Sequence, residues 1–257
     1  MLTAVRQRLH ARSAAMLLTL ENGLPRIMTC WLVLALLASA LRVMSSPLRG
    51  HPPDLGMVLP YVLLTVAPLV SMGLALRWFE NGDRLSQPAT RLACFGRWRI
   101  LTDEEARADP LYGTSGMMVS LLVGMLLNVP VRAAEYFAAM PALSGPVPHW
   151  LRLLHTMLTL DVVLLSSLYT IAFVAALRRV PLFPRLLVAI WAIDLAMQVG
   201  IAQAVTSGGD LPAGVAQMLH TVLDGNVKKV LISAALWAPY LLLSRRVNLT
   251  YRKRAAV

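Results

Sequence analysis

The chain has 257 residues, 57% of them apolar and only 14% charged, a balance that excludes an ordinary water-soluble domain of this length. Basic residues outnumber acidic ones 24 to 13, giving a net charge of +11, but they gather at the ends of apolar runs. No basic module interleaved with aromatic residues is present, so nucleic acid is excluded as a partner and the lipid bilayer is expected instead.

The first segment, residues 1–22, carries Arg6, Arg8 and Arg12 among Leu2, Val5, Leu9 and Met16 at roughly helical spacing, the pattern of an amphipathic helix lying on a membrane. It does not read as a cleaved signal peptide. Its apolar stretch Ala14 to Leu20 is short, ends at Glu21 and lacks a small-residue cleavage site.

Candidate spans follow at 27–46, 56–76, 116–137, 150–177, 185–206 and 226–243. Each is close to the roughly 20 residues needed to cross about 30 Å of hydrocarbon. The predicted fold is therefore an all-α, polytopic transmembrane bundle of about six spans with an N-terminal amphipathic helix. It divides into an interfacial segment (1–22), two spans (23–78), a loop with an interfacial helix (79–115) and a four-helix membrane domain (116–252).

Loop charge predicts the orientation, because loops on the cytoplasmic side are rich in Lys and Arg. Loop 77–115 holds Arg77, Arg84, Arg91, Arg97, Arg99 and Arg107, the 178–185 turn holds Arg178, Arg179 and Arg185, and the tail holds Arg245, Arg246, Arg252, Lys253 and Arg254. The alternate loops are poorer: 138–148 has no charge and 207–215 only Asp210, while Arg42 and Arg49 make the first the weakest fit. Both termini are expected in the cytoplasm.

Within the long loop, Leu92, Phe95, Trp98 and Ile100 mix with Arg91, Arg97 and Arg99 as an interfacial segment would. Thr102-Asp-Glu-Glu105 has the spacing of a capping box opening a short acidic helix. The two cysteines, Cys30 in the first span and Cys94 in this loop, have no CxxC or Cys/His spacing. The five histidines (His10, His51, His149, His155 and His220) are scattered and read as interfacial or loop residues. Neither a metal site nor a cofactor is legible.

The last span ends as a membrane exit, with Trp237 and Tyr240 as interfacial anchors, Pro239 loosening the final turns and Arg245-Arg246 meeting anionic headgroups. Trp237, Pro239, Tyr240, Ser244, Arg245, Arg246, Val247, Thr250 and Tyr251 stand in the order Trp-x-Pro-Tyr, three residues, Ser-Arg-Arg-Val, two residues, Thr-Tyr. This signature resembles that of a bacterial family of small inner-membrane proteins catalogued as domain of unknown function twenty-five sixty-nine. Its short, basic, proline-bearing loop is similar to Arg178-Arg-Val-Pro-Leu-Phe-Pro184, and the likeness extends over about residues 116 to 252. The resemblance implies a location and an architecture, and no activity.

A carboxylate at the bilayer centre costs about 2.5–3.5 kcal/mol on insertion scales, so it needs a partner or a purpose. Asp161 and Asp194 fall near the middle of the fourth and fifth spans, where they form, with Gln198 one turn on, a candidate ion or proton site. A separate outer cluster is expected from Asn128, Arg132 and Glu135 on one face of the third span, with Asp224, Lys228 and Lys229 at an interfacial entry to the sixth. Helix-to-helix glue is the competing reading of both groups.

No nucleophile with a base, and no ligand set at one depth, is legible, so no catalytic residue is assigned. The expectation is a non-enzymatic subunit, chaperone or regulator of a bacterial envelope assembly, with a membrane-protein partner or a second copy of the chain. The alternative is a small transporter, channel or lipid-handling protein that uses the intramembrane carboxylates.

Overall fold

The computed structural model describes residues 2–45, 55–88, 97–207 and 212–256, with side chains from Arg12 onward apart from Ala213. Arg49, His51, Arg91, Leu92, Cys94, Phe95 and Asp210 lie outside the described residues, as do the side chains of Leu2, Val5, Arg6, Arg8, Leu9 and His10. The helices are α1 (Leu2–Met44), α2 (Leu55–Trp78), α3 (Asp103–Ala108), α4 (Met117–Ala139), α5 (His149–Leu177), α6 (Phe183–Ser207), α7 (Ala213–Leu243) and α8 (Arg245–Arg252). Two three-residue strands, β1 (Trp98–Ile100) and β2 (Arg254–Ala256), pair antiparallel.

The protein is a multi-pass membrane helix bundle. Arg12–Met44 of α1 and the whole of α2, α4, α5 and α6 are each long and apolar enough to cross a bilayer, and α7 with α8, bent by 71°, makes a sixth candidate. Leu34, Leu41, Ile232 and Leu236 are more than half exposed. Such a surface is stable when hydrocarbon covers it.

Two elements differ in extent from the sequence expectation. The N-terminal segment is continuous with the first span, so α1 is one helix of 43 residues. In α7 the helix begins at Ala213, well before the expected start at 226, because Gly214, His220 and Asp224 dilute the hydropathy of its first turns without breaking its backbone bonds. Lys228 and Lys229 thus sit mid-helix and not at an interfacial entry.

At the centre of the bundle stands α5, packed against α2, α4 and α6. Its fully buried Ala172, Ala175 and Ala176 let neighbouring backbones come close, the use small residues have where helices pack in lipid. Leu24 of α1 and Met72 and Ala75 of α2 share a core with α4 to α7. Trp31 of α1 donates to the Thr65 carbonyl at 3.0 Å.

One end of the bundle is closed by a cap. There β1 pairs with β2, and Arg254 lies 4.7 Å over the Trp98 ring. Trp98 and Ile100, expected in an interfacial segment, are strand residues held by the tail. Thr102 and Glu105 form the anticipated capping box of α3, and Lys253 binds Asp103 at 2.6 Å, holding its carboxyl below the usual carboxylate range.

The tail then runs under the core. Arg246 turns inward, 7% exposed, and donates to the Ser115 hydroxyl at 2.7 Å, while Arg245 stays exposed. Only Arg245 of the expected headgroup pair is therefore placed to meet lipid. Tyr251 is fully buried against Phe183, ring centroids 5.0 Å apart, and its hydroxyl donates to the Ala176 carbonyl at 2.8 Å. The expected exit motif is a fastening as much as an anchor, with the Ser244 carbonyl accepting from the Asn248 N–H of α8 at the 71° bend, Trp237 and Tyr240 ring to edge at 5.9 Å, and Pro239 inside α7. Gly82 completes the contact, since a Cβ there would come within 2.7 Å of the Arg178 carbonyl oxygen.

Candidate functional site

Helix periodicity aims three spans at one point. Asn128, Arg132 and Glu135 share a face of α4, Asp161 and Tyr169 a face of α5, and Asp194 and Gln198 a face of α6. The Arg132 guanidinium spans the gap: Nη1 donates to Asp161 Oδ2 at 2.8 Å and Nη2 to Asp194 Oδ2 at 2.6 Å. The two expected groups, central and outer, are thus one network, because an arginine side chain reaches from α4 across to both α5 and α6.

Four neutral side chains bond into the pair's network. Gln198 Nε2 donates to Asp161 Oδ1 at 3.1 Å and Asp194 Oδ1 at 3.4 Å, while its Oε1 accepts from Asn226 Nδ2 of α7 at 3.2 Å. Tyr169 donates its hydroxyl to Asp194 Oδ2 at 3.2 Å, and Arg132 Nε to Asn128 Oδ1 at 3.5 Å. The Arg132 side chain is 11% exposed and that of Asp194 fully buried. In so dry a setting charge-assisted bonds are strong and an unpaired charge is costly.

Glu135 and Lys229 form an ion pair from α4 to α7, with their side chains 46% and 58% exposed. That pair lies across an open cleft. A cavity of about 140 Å³ runs from it toward the capped end, lined by Leu121, Met125, Trp191, Trp237 and Asp194. Another of about 420 Å³ runs toward the opposite end, lined by Tyr136, Leu158, Met218, Val222 and Asp161. Arg132, Glu135, Asn226 and Lys229 line both. Each carboxylate therefore faces a different cavity.

Of the expected outer residues, Asp224 and Lys228 are exposed and no ion pair joins them among the described residues. Two groups of the site escaped sequence reading. Asn226 had a weak signal, standing three residues before Lys229 on the same face of α7. His155, expected at an interface or in a loop, is buried on α5 with Nε2 3.1 Å from the Tyr136 hydroxyl, which also bonds Thr159 at 2.8 Å. A lone histidine in a span carries no sequence signal of such a partner.

Comparison with known proteins returned no matching family model, no similar curated protein and no similar solved structure.

Proposed function

We propose that the protein is a small, non-enzymatic transporter or lipid-handling protein of a bacterial inner membrane, which takes the polar group of an amphiphile or small solute into the cleft between α4 and α7. What carries the reading is the exposed Glu135–Lys229 pair at mid-span, with a cavity on either side of it and Asp161, Arg132 and Asp194 behind. A charge left open to hydrocarbon is expensive, and structures keep such groups at the cost of stability where they meet a ligand or an ion. Kinship with the family of unknown function is part of the proposal, supported by the order of Trp237, Pro239, Tyr240, Ser244, Arg245, Arg246, Val247, Thr250 and Tyr251 in the tail.

The test is native mass spectrometry of protein purified in mild detergent, wild type against Glu135→Leu with Lys229→Leu. The pair is half exposed at mid-span, where replacing both charges together by apolar side chains removes a cost and leaves no charge unpaired, so the double variant should remain intact. Wild type is expected to retain phospholipid that the variant loses. Identical lipid occupancy in both would refute the cleft reading.

A second reading, a subunit, chaperone or regulator of an envelope assembly, is favoured by α1, whose most apolar window is only 11% buried and offers Leu34, Leu37 and Leu41 to a membrane partner or a second copy. Affinity purification that recovers a stoichiometric membrane protein would support it over the first.

The orientation proposed puts the capped end, with Arg107, Arg178, Arg179, Arg245 and Arg252, in the cytoplasm. With Cys30 and Cys94 replaced, single cysteines in 138–148 and 207–215 should react with an impermeant thiol reagent in intact cells. Those in 80–110 and beyond Arg245 should not. Labelling of the tail from outside would reverse the assignment.

A further inference from the structure

Charge counting around Arg132 leaves a remainder. Asp161 and Asp194 share one guanidinium, Glu135 and Lys229 offset each other, and the remaining neighbours, Asn128, Gln198, Asn226 and Tyr169, are neutral. The facing groups of each packed element are accounted for: Arg132, Glu135 and Tyr136 from α4, Tyr169 and, through Tyr136, His155 from α5, Asp194 and Gln198 from α6, Lys229 from α7, and Tyr61 of α2, edge-on to Tyr136. With both carboxylates ionised the network carries one uncompensated negative charge where Asp194 is wholly buried. An isolated buried charge is removed most simply by a proton.

The two carboxylates are also addressed from opposite directions. Asp161 borders the cavity running toward the uncapped end, and Asp194 the one running toward the cap. Arg132 borders both.

We propose that the Asp161–Arg132–Asp194 triad is a proton-exchange site, which holds one proton between two carboxylates that border different cavities, running from a shared mid-span cleft toward opposite ends of the bundle. A hydronium in the uncapped-side cavity gives its proton to Asp161, forming an O–H bond and leaving water. Arg132 stays cationic, releases Asp161 and remains paired with Asp194, so the triad is neutral. When Asp194 holds the proton instead, exchanged with the cavity nearer the cap, Arg132 keeps Asp161. Of the two, Asp194 has three donors, from Arg132, Tyr169 and Gln198, against two for Asp161, from Arg132 and Gln198. Asp161 is therefore the resting place of the proton. This use of the site deepens the transport reading, in which the proton is the coupling ion.

Infrared difference spectra of the full chain in lipid nanodiscs, taken between neutral and alkaline pH, read the proton directly. Protein labelled with carbon-13 at the aspartate side-chain carboxyl should show a protonated-acid band at neutral pH that shifts with the label and in D2O. It should vanish in Asp161→Asn and Asp194→Asn, where the remaining carboxylate pairs one to one with Arg132, and persist in Glu135→Leu with Lys229→Leu, which leaves the charge count of the triad unchanged. A wild-type spectrum without a label-shifted acid band overturns the proposal, whether or not any variant folds. The same band surviving in both asparagine variants overturns it too. Because the readout is a proton and not a lipid, retained lipid with no acid band sinks this inference alone, and an acid band with no retained lipid sinks only the cleft reading.

Discussion

Arg132→Met should lower the stability of the bundle by about 3–5 kcal/mol, the cost of removing one partner from a buried ion pair and leaving the rest uncompensated. Two carboxylates would then face each other with Gln198 and Tyr169 as their remaining donors. Thermal unfolding in detergent is the measurement, and a variant that melts with the wild type would show that the guanidinium is dispensable. Adding Asp161→Asn and Asp194→Asn to the same chain should recover most of the loss, since amides bond in place without charge. Each asparagine substitution alone should leave stability level or raise it. If the single variants fold and also fully replace the wild type in a deletion strain, the carboxylates act as glue and the proton-exchange inference falls. If they fold but fail to complement, titration or charge is what the cell needs.

Tyr251→Ala should cost about 3–5 kcal/mol, in the range of large aromatic truncations at fully buried sites. The ring is wholly enclosed against Phe183, and its removal opens a void beneath α8 and takes one donor from the Ala176 carbonyl, which keeps the Arg179 N–H at 3.1 Å. Tyr251→Phe isolates the hydrogen bond and should cost about 1 kcal/mol. Limited proteolysis of the region after Leu243, alongside melting, separates loosening of the tail from loss of the whole fold. An alanine variant with wild-type melting and an uncut tail would mean that the cap is held by β2 and Arg246 without the ring.

Much of this architecture is readable from apolar run length, because in a bilayer the helix is the solution that leaves no backbone group unbonded. What hydropathy misses is where polar and small residues interrupt a helix without ending it, as in the first turns of α7. The loop charge pattern fitted least at Arg42 and Arg49, and for Arg42 the structure supplies a local cause: its Nε donates at 2.8 Å to the Met140 carbonyl just past the end of α4. The central carboxylates stood out in the sequence since a charged residue in a span is rare. Their partner was assigned to a different cluster because linear spacing within one helix says nothing about reach between helices. The buried face of the tail was hidden for a similar reason: a basic, aromatic ending has the same composition whether it meets lipid headgroups or folds back under the core.

The cap also sets an order of events during synthesis. Its pieces, Gly82, Gly113, Ser115, Ala176 and Arg178, emerge first, and residues 244–256 that bind most of them follow the whole of α1, α2 and α4 to α7. Trp98 waits for a partner more than 150 positions later, Ala256. A nascent chain therefore has its helices made while its cap is still open, and the donors and acceptors at that end stay wet until residues 244–256 have been added. Closure of the cap thus divides a chain that has reached Ala256 from one stalled before Ser244: in the second, Trp98, Ser115 and the Ala176 carbonyl lack the partners that the tail brings.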